Sequence, residues 1–267
     1  MKLAKNFFRR HAAVVRLTHW INALCLVFLL MSGLNIFNAR PDLYWGSKST
    51  FSHPLLSIGS DDSGVNPKGV TKVFGHSFTT TGVLGVSGDG DERAFPAWST
   101  IPSDYDLATA RRWHFLFAWL FVLNGLLYLT FSISSGHVRR DLIPRRDELR
   151  KIGPTLVDHL RLRFPHGEEA KRYNVVQMMS YFIVGFILLP IMVLAGWSMS
   201  PGVDSLAHFL PQLFGGRQSA RTIHFLIAWL LVLFTIVHLF MVLISGVWNN
   251  VRSMITGRYD LGQERAP

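Results

Sequence analysis

Arg221-Thr222-Ile223-His224-Phe225-Leu226-Ile227-Ala228-Trp229-Leu230-Leu231-Val232-Leu233-Phe234-Thr235-Ile236-Val237-His238 carries no formal charge after its first residue. The apolar run continues to about Val247, longer than the ~20 residues a helix needs to cross a bilayer. Two histidines interrupt it, 14 residues apart. At ~100° per residue that spacing returns to within ~40° of one helix face, and at about 1.5 Å per residue it separates the two by ~21 Å. A polar side chain in hydrocarbon is costly unless it turns inward and finds a partner. The stretch therefore reads as a membrane-spanning helix presenting two inward imidazoles, one near each membrane surface.

Three more apolar runs reach spanning length. The set is about 17–37, 113–134, 175–197 and 222–247. The expected fold is all-α, a single integral membrane domain built as a four-helix bundle. Composition agrees: of 267 residues, 49% are hydrophobic and only 16% charged, against the ~25% usual for soluble domains. Arg9, Arg10 and Arg16 precede the first run as they would in a secretory signal. The run is long, however, and no small-residue cleavage site follows, so it is read as retained. The net charge of +10 comes from basic residues beside apolar runs, which points to membrane topology and lipid rather than nucleic acid. The N-terminal tail has five Lys/Arg and no acid, and the 135–174 segment has ten against six. Both are expected on the cytoplasmic side, with the C-terminus. The 38–112 segment, with seven basic and eight acidic residues, is then an outer loop. It is too long for a simple connector. With aromatic points at Trp45, Phe95 and Trp98, it reads equally as a lid or as a docking surface.

The fourth span has an internal echo. Arg111-Arg112-Trp113-His114-Phe115-Leu116-Phe117-Ala118-Trp119-Leu120 aligns without gaps to Arg221–Leu230, and Arg16-Leu17-Thr18-His19-Trp20 is a shorter version at the first span. By depth, His114 pairs with His224 at the outer side and His19 with His238 at the inner side. The other histidines have bland readings. His11, His137, His159 and His166 lie in cytoplasmic polar segments, and His53, His76 and His208 in outer loops.

Each pair is expected to hold one haem iron axially between two helices, giving two haem b. With both axial positions filled, electron transfer is favoured over oxygen chemistry at iron. Zinc would need three or four ligands in one tetrahedral site, which two pairs ~21 Å apart do not supply. The lone Cys25 lies in an apolar run, so there is no iron–sulfur ligand set and no covalent haem attachment. Arg16, Arg111 and Arg221 stand one turn from a histidine. Arg112 and Arg221, then Arg16 and Arg111, are candidates for pairing with haem propionates. The alternative is that they are interfacial anchors. Gly33, Gly125, Gly185 and Gly196 read either as close helix packing or as room for a porphyrin face.

At these residues the chain resembles the bacterial di-haem cytochrome b561 superfamily, whose members serve as membrane cytochrome b subunits of hydrogenases, formate dehydrogenases and thiosulfate-reductase-like enzymes. The carrying elements are Arg16-x-x-His19-Trp20, His114, the His224…His238 pair, and Lys171-Arg172-Tyr173-Asn174-Val175-Val176-Gln177. The resemblance implies a bacterial inner-membrane cytochrome passing electrons between the quinone pool and an outer-face partner. That partner is a periplasmic oxidoreductase subunit or a soluble cytochrome. The 38–112 loop departs from the hydrogenase and formate dehydrogenase pattern, and is more similar to cytochromes paired with a molybdopterin-type oxidoreductase. The resemblance also implies a site for an exchangeable quinone, ubiquinone or menaquinone, on the cytoplasmic side near Asn174 and Gln177. Those two residues read equally as a helix cap. A proton route would be needed, and the residues leave His11 or a ring-facing acid open. The alternatives are a stand-alone quinone-coupled enzyme, such as a superoxide:quinone oxidoreductase steered by Arg111 and Arg112, and a haem-free transporter or anchor.

Overall fold

The computed structural model describes residues 7–88, 90–163 and 172–261. His166, Lys171 and the first residues of the basic tail lie outside them. Four helices are long and apolar enough to cross a membrane: α1 (Ala13–Asn38), α2 (Leu107–Ser134), α4 (Val175–Met199) and α5 (Arg217–Ile244). A shorter α3 (Ile152–Leu160) precedes α4, and α6 (Val247–Thr256) follows α5. The spans have 25 to 28 residues, about 37–42 Å of helix against a ~30 Å hydrocarbon core. Most overrun their apolar stretches into polar turns, where water can satisfy the terminal backbone groups. At its far end α5 stops at Ile244, because Gly246 takes a left-handed conformation at φ 106°. In α4, Val184–Leu188 winds as a π-helix. Pro190 follows two residues after Leu188; it has no N–H to donate, and its ring crowds the carbonyl four residues back, inside the π-helical turn.

The chain divides into two compact units. The first gathers Met1–Ile21, Asn124–Pro190 and Trp229–Pro267. In it β1 (Phe7–Arg9) pairs antiparallel with β6 (Arg258–Asp260), Phe8 opposite Tyr259. Buried Asn124 on α2 donates to the Thr18 carbonyl on α1 at 2.9 Å. The Arg16 guanidinium donates to the Ile255 carbonyl, and Trp20 Nε1 to that of Met254 at 3.0 Å. Both residues of the Arg-x-x-His-Trp motif thus serve the last carbonyls of α6, where cations and N–H donors are favoured.

The second unit gathers Asn22–Leu123 and Ile191–Ala228, and here the all-α expectation is corrected. The 38–112 segment holds a four-stranded antiparallel meander: β2 (Asp42–Leu43), β3 (Leu56–Asp61), β4 (Lys68–Val73) and β5 (His76–Thr79). Phe74 and Gly75 join β4 to β5 with φ of 48° and 83°, a two-residue turn whose handedness matches the strand twist. Leu43, Ile58, Ala94 and Phe95 form a core with Phe37 of α1, and Phe225 of α5 packs against it. Of the three aromatic points, only Phe95 is buried. Trp45 and Trp98 are 61% and 81% exposed.

Polar ties hold this segment to the helix ends. Asn35 donates to the carbonyls of Pro102 and Asp104. Arg221 donates to those of Arg40 and Asp42, and Thr222 Oγ1 to that of Tyr44 at 2.7 Å. Buried Asn38 both donates to the Phe95 carbonyl at 3.1 Å and accepts from its N–H at 2.7 Å. Asn38→Ala removes two buried hydrogen bonds at one point. It should cost about 2–4 kcal/mol, read as a lower melting midpoint and as protease cleavage within 38–112.

Candidate functional site

The expected histidine pairs form. In the sheet-bearing unit the rings of His114 (α2) and His224 (α5) have centroids 6.3 Å apart at 62°. In the other unit His19 (α1) and His238 (α5) have centroids 6.2 Å apart at 58°. One metal ion bound between two imidazoles makes two bonds of about 2.0 Å, and each ring centre lies about 1.1 Å behind its nitrogen. The ring centroids should then stand about 6.2 Å apart, as both pairs do. Among the described residues no three or more His, Cys, Asp or Glu side chains gather at a metal-sized site. Each pair can therefore supply two nitrogen ligands to one metal ion, short of the three or four that tetrahedral zinc takes.

The remaining ring nitrogens support this. His114 Nδ1 lies 3.1 Å from Ser32 Oγ on α1, and that hydroxyl donates back to the Phe28 carbonyl. So Nδ1 carries the proton, and Nε2 keeps its lone pair for a metal. His224 Nδ1 likewise donates to the Met192 carbonyl on α4 at 3.0 Å. Such outer contacts fix the tautomer and ring orientation of a metal-binding imidazole. His19 Nδ1 is buried with no partner among the described residues.

Two of the four helix glycines now have a specific role. A Cβ on Gly33 would stand 3.4 Å from His114 Cε1, and one on Gly196 would stand 3.2 Å from His224 Cε1. These glycines seat the imidazoles. Ser32 was missed in the sequence, where its place beside Gly33 was the available signal.

The arginines divide. Arg16 and Arg221 donate to backbone carbonyls, as described, and Arg221 also lies over the Phe37 ring at 5.6 Å. Arg111 lies over Phe115 at 5.6 Å, and Arg112 is exposed. Asn174 and Gln177 form a reciprocal capping box at the start of α4. Asn174 Oδ1 accepts from the Gln177 N–H at 2.9 Å, and Gln177 Oε1 accepts from that of Asn174 at 3.3 Å. Asn174 Nδ2 also meets His159 Nε2 at 3.3 Å. An apolar cleft of about 220 Å³ lies between Met179, Phe182 and Ile183 of α4 and Leu142, Ile143 and Pro144.

A relative from Azospira oryzae, provisionally named protein-methionine-sulfoxide reductase subunit YedZ1, is 29% identical over 241 residues, covering 90% of this chain and 93% of its own. No solved structure matches. Residues 10–257 match the family described as prokaryotic cytochrome b561. The chain belongs to that family, and is a multi-pass protein of the bacterial inner membrane that binds haem b and transfers electrons.

Proposed function

We propose that this chain is a di-haem electron-transfer subunit linking the quinone pool to an oxidoreductase at the outer membrane face. The observation that carries it is the metal-ligand spacing of two separate histidine pairs, His114/His224 and His19/His238, with α5 common to both. When bound, haem b supplies reversible one-electron chemistry. The chain's part is to hold each macrocycle by two helices, to fix the imidazole tautomers through Ser32 and Met192, and to keep water from the irons. Arg112 is free to meet a propionate at the surface, whereas Arg16 and Arg221 would do so only alongside their carbonyl contacts.

The termini and the 135–174 segment are cytoplasmic on this reading, and the folded 38–112 segment faces the periplasm. There its exposed Trp45 and Trp98 offer the partner a surface. The name of the Azospira relative suggests what that partner does, reduction of methionine sulfoxide in proteins; that it is of molybdopterin type rests on the resemblance of the 38–112 loop alone. Electrons would then run outward from quinol. The apolar cleft on α4, close in sequence to Asn174 and Gln177, supports quinone exchange on the cytoplasmic side, since a quinone needs an apolar slot flanked by polar groups.

The test is anaerobic addition of menadiol or decylubiquinol to the purified cytochrome. The expected result is growth of the reduced haem α-band. Reduction by dithionite with no response to either quinol would contradict the quinone link.

A further inference from the structure

Tyr173 directly precedes the capping box of α4. Its hydroxyl lies 3.1 Å from Nδ1 of His11, and the two rings stack at 6.1 Å and 28°. His11 comes from the N-terminal segment, 162 residues away in sequence, and is 9% exposed. Burial pushes the Tyr173 phenol above its ordinary range, so it keeps its proton, and toward the Nε2–H tautomer of His11 it donates that proton to Nδ1. His11 is then a neutral imidazole with its own proton on Nε2, a base placed behind a hydroxyl donor.

The surroundings favour that state. Arg10 packs over the rings of Tyr173 and Tyr259 at 5.6 and 4.7 Å. Burial first, then the charge of Arg10, His19 and Arg16 and the nearby His137, hold the His11 imidazole down at about 4. His137 is itself bound to Asp141 at 2.8 Å, and Tyr181 meets the Tyr173 ring edge-on at 5.3 Å. An imidazolium formed here is destabilised and gives its proton up readily.

We propose that Tyr173 and His11 are the proton-exchange pair of the quinone site. This rests on the quinone reading above. Oxidation of a quinol to a quinone releases two electrons and two protons. The electrons leave by the chain's established electron transfer. For each proton, the quinol O–H bond breaks as a new O–H bond forms at Tyr173 Oη, whose former proton makes an N–H bond at His11 Nδ1. His11 then loses its Nε2 proton to water, and before the second transfer Nε2 takes up a proton from water as Nδ1 gives its own up, which restores the starting tautomer. The reverse sequence supplies protons when a quinone is reduced.

The test uses the haem-loaded protein with menadiol and decylubiquinol. Tyr173→Phe keeps the ring and removes only the hydroxyl; His11→Gln removes the base. Each should slow quinol-driven haem reduction on the order of 10²-fold at neutral pH, with haem content and dithionite reduction unchanged. The wild-type rate should be level from pH 8 to 5 and fall as pH drops towards about 4, where His11 is already protonated. In both variants the residual rate should instead climb with pH across the same range, as solvent hydroxide replaces the lost base. A Tyr173→Phe rate equal to wild type, or a slowed rate with the wild-type pH profile, overturns the proposal. If wild type reacts and the variant matches it, the pair alone falls. If wild type does not react with either quinol, the quinone reading falls and takes the pair with it.

Discussion

Alanine at His238 should leave the protein with one haem in place of two, and alanine at His224 should do the same while removing the other one. Each pair is built from different helices around α5, His19 of α1 facing His238 and His114 of α2 facing His224. An imidazole lost from one pair leaves the other pair's ligands in place, and with His238 replaced the Ser32 and Met192 contacts of His114 and His224 remain. Pyridine haemochrome counts the loss, and circular dichroism reports whether the helices persist. The two variants should lose spectrally distinct haems. Complete loss of haem from either variant with helicity retained would contradict the pairing.

Gly196→Val should act almost as strongly without touching a ligand. The first carbon of the new side chain would lie 3.2 Å from His224 Cε1 and 3.5 Å from its Nδ1. Valine adds two methyl groups beyond that point on a stiff, branched stem. The imidazole must turn away, losing its bond to the Met192 carbonyl. Overpacking of this kind costs about 1–3 kcal/mol, or roughly 5- to 150-fold in haem affinity at that site. Gly125→Val is the control, because a Cβ at Gly125 meets nothing within 4 Å, and it should retain its full haem. Titration of the apo-protein with haemin measures both. Equal affinities in the two variants would show that Gly196 does not seat His224.

Much of this was legible in the sequence, because a membrane span is long and has one dominant signal. The apolar runs located the four helices, and spacing with depth paired the histidines that the structure places together. What stayed hidden depends on contacts between distant segments. The sheet in 38–112 is made of strands of two to six residues, too short for strong alternation, and its tightest turn is Phe74-Gly75 rather than Asn-Gly. Arg16 and Arg221 looked alike because the sequence shows only their distance from a histidine. In three dimensions one serves the end of α6 and the other carbonyls 179 and 181 residues away. The Gly33 and Gly196 roles were hidden for the same reason: a glycine announces room, and only the fold shows what occupies it. The Asn174–Gln177 box was readable as a cap from its spacing, and the structure forms that cap.

The central claim is that two imidazole pairs each hold a haem iron. The most direct measurement is the haem b content of the purified wild-type chain by pyridine haemochrome, set against protein concentration from amino-acid analysis. Two haems per chain, both low-spin in the oxidised state as bis-imidazole ligation requires, is the predicted result. One haem per chain, or a high-spin centre with an open axial position, would contradict it.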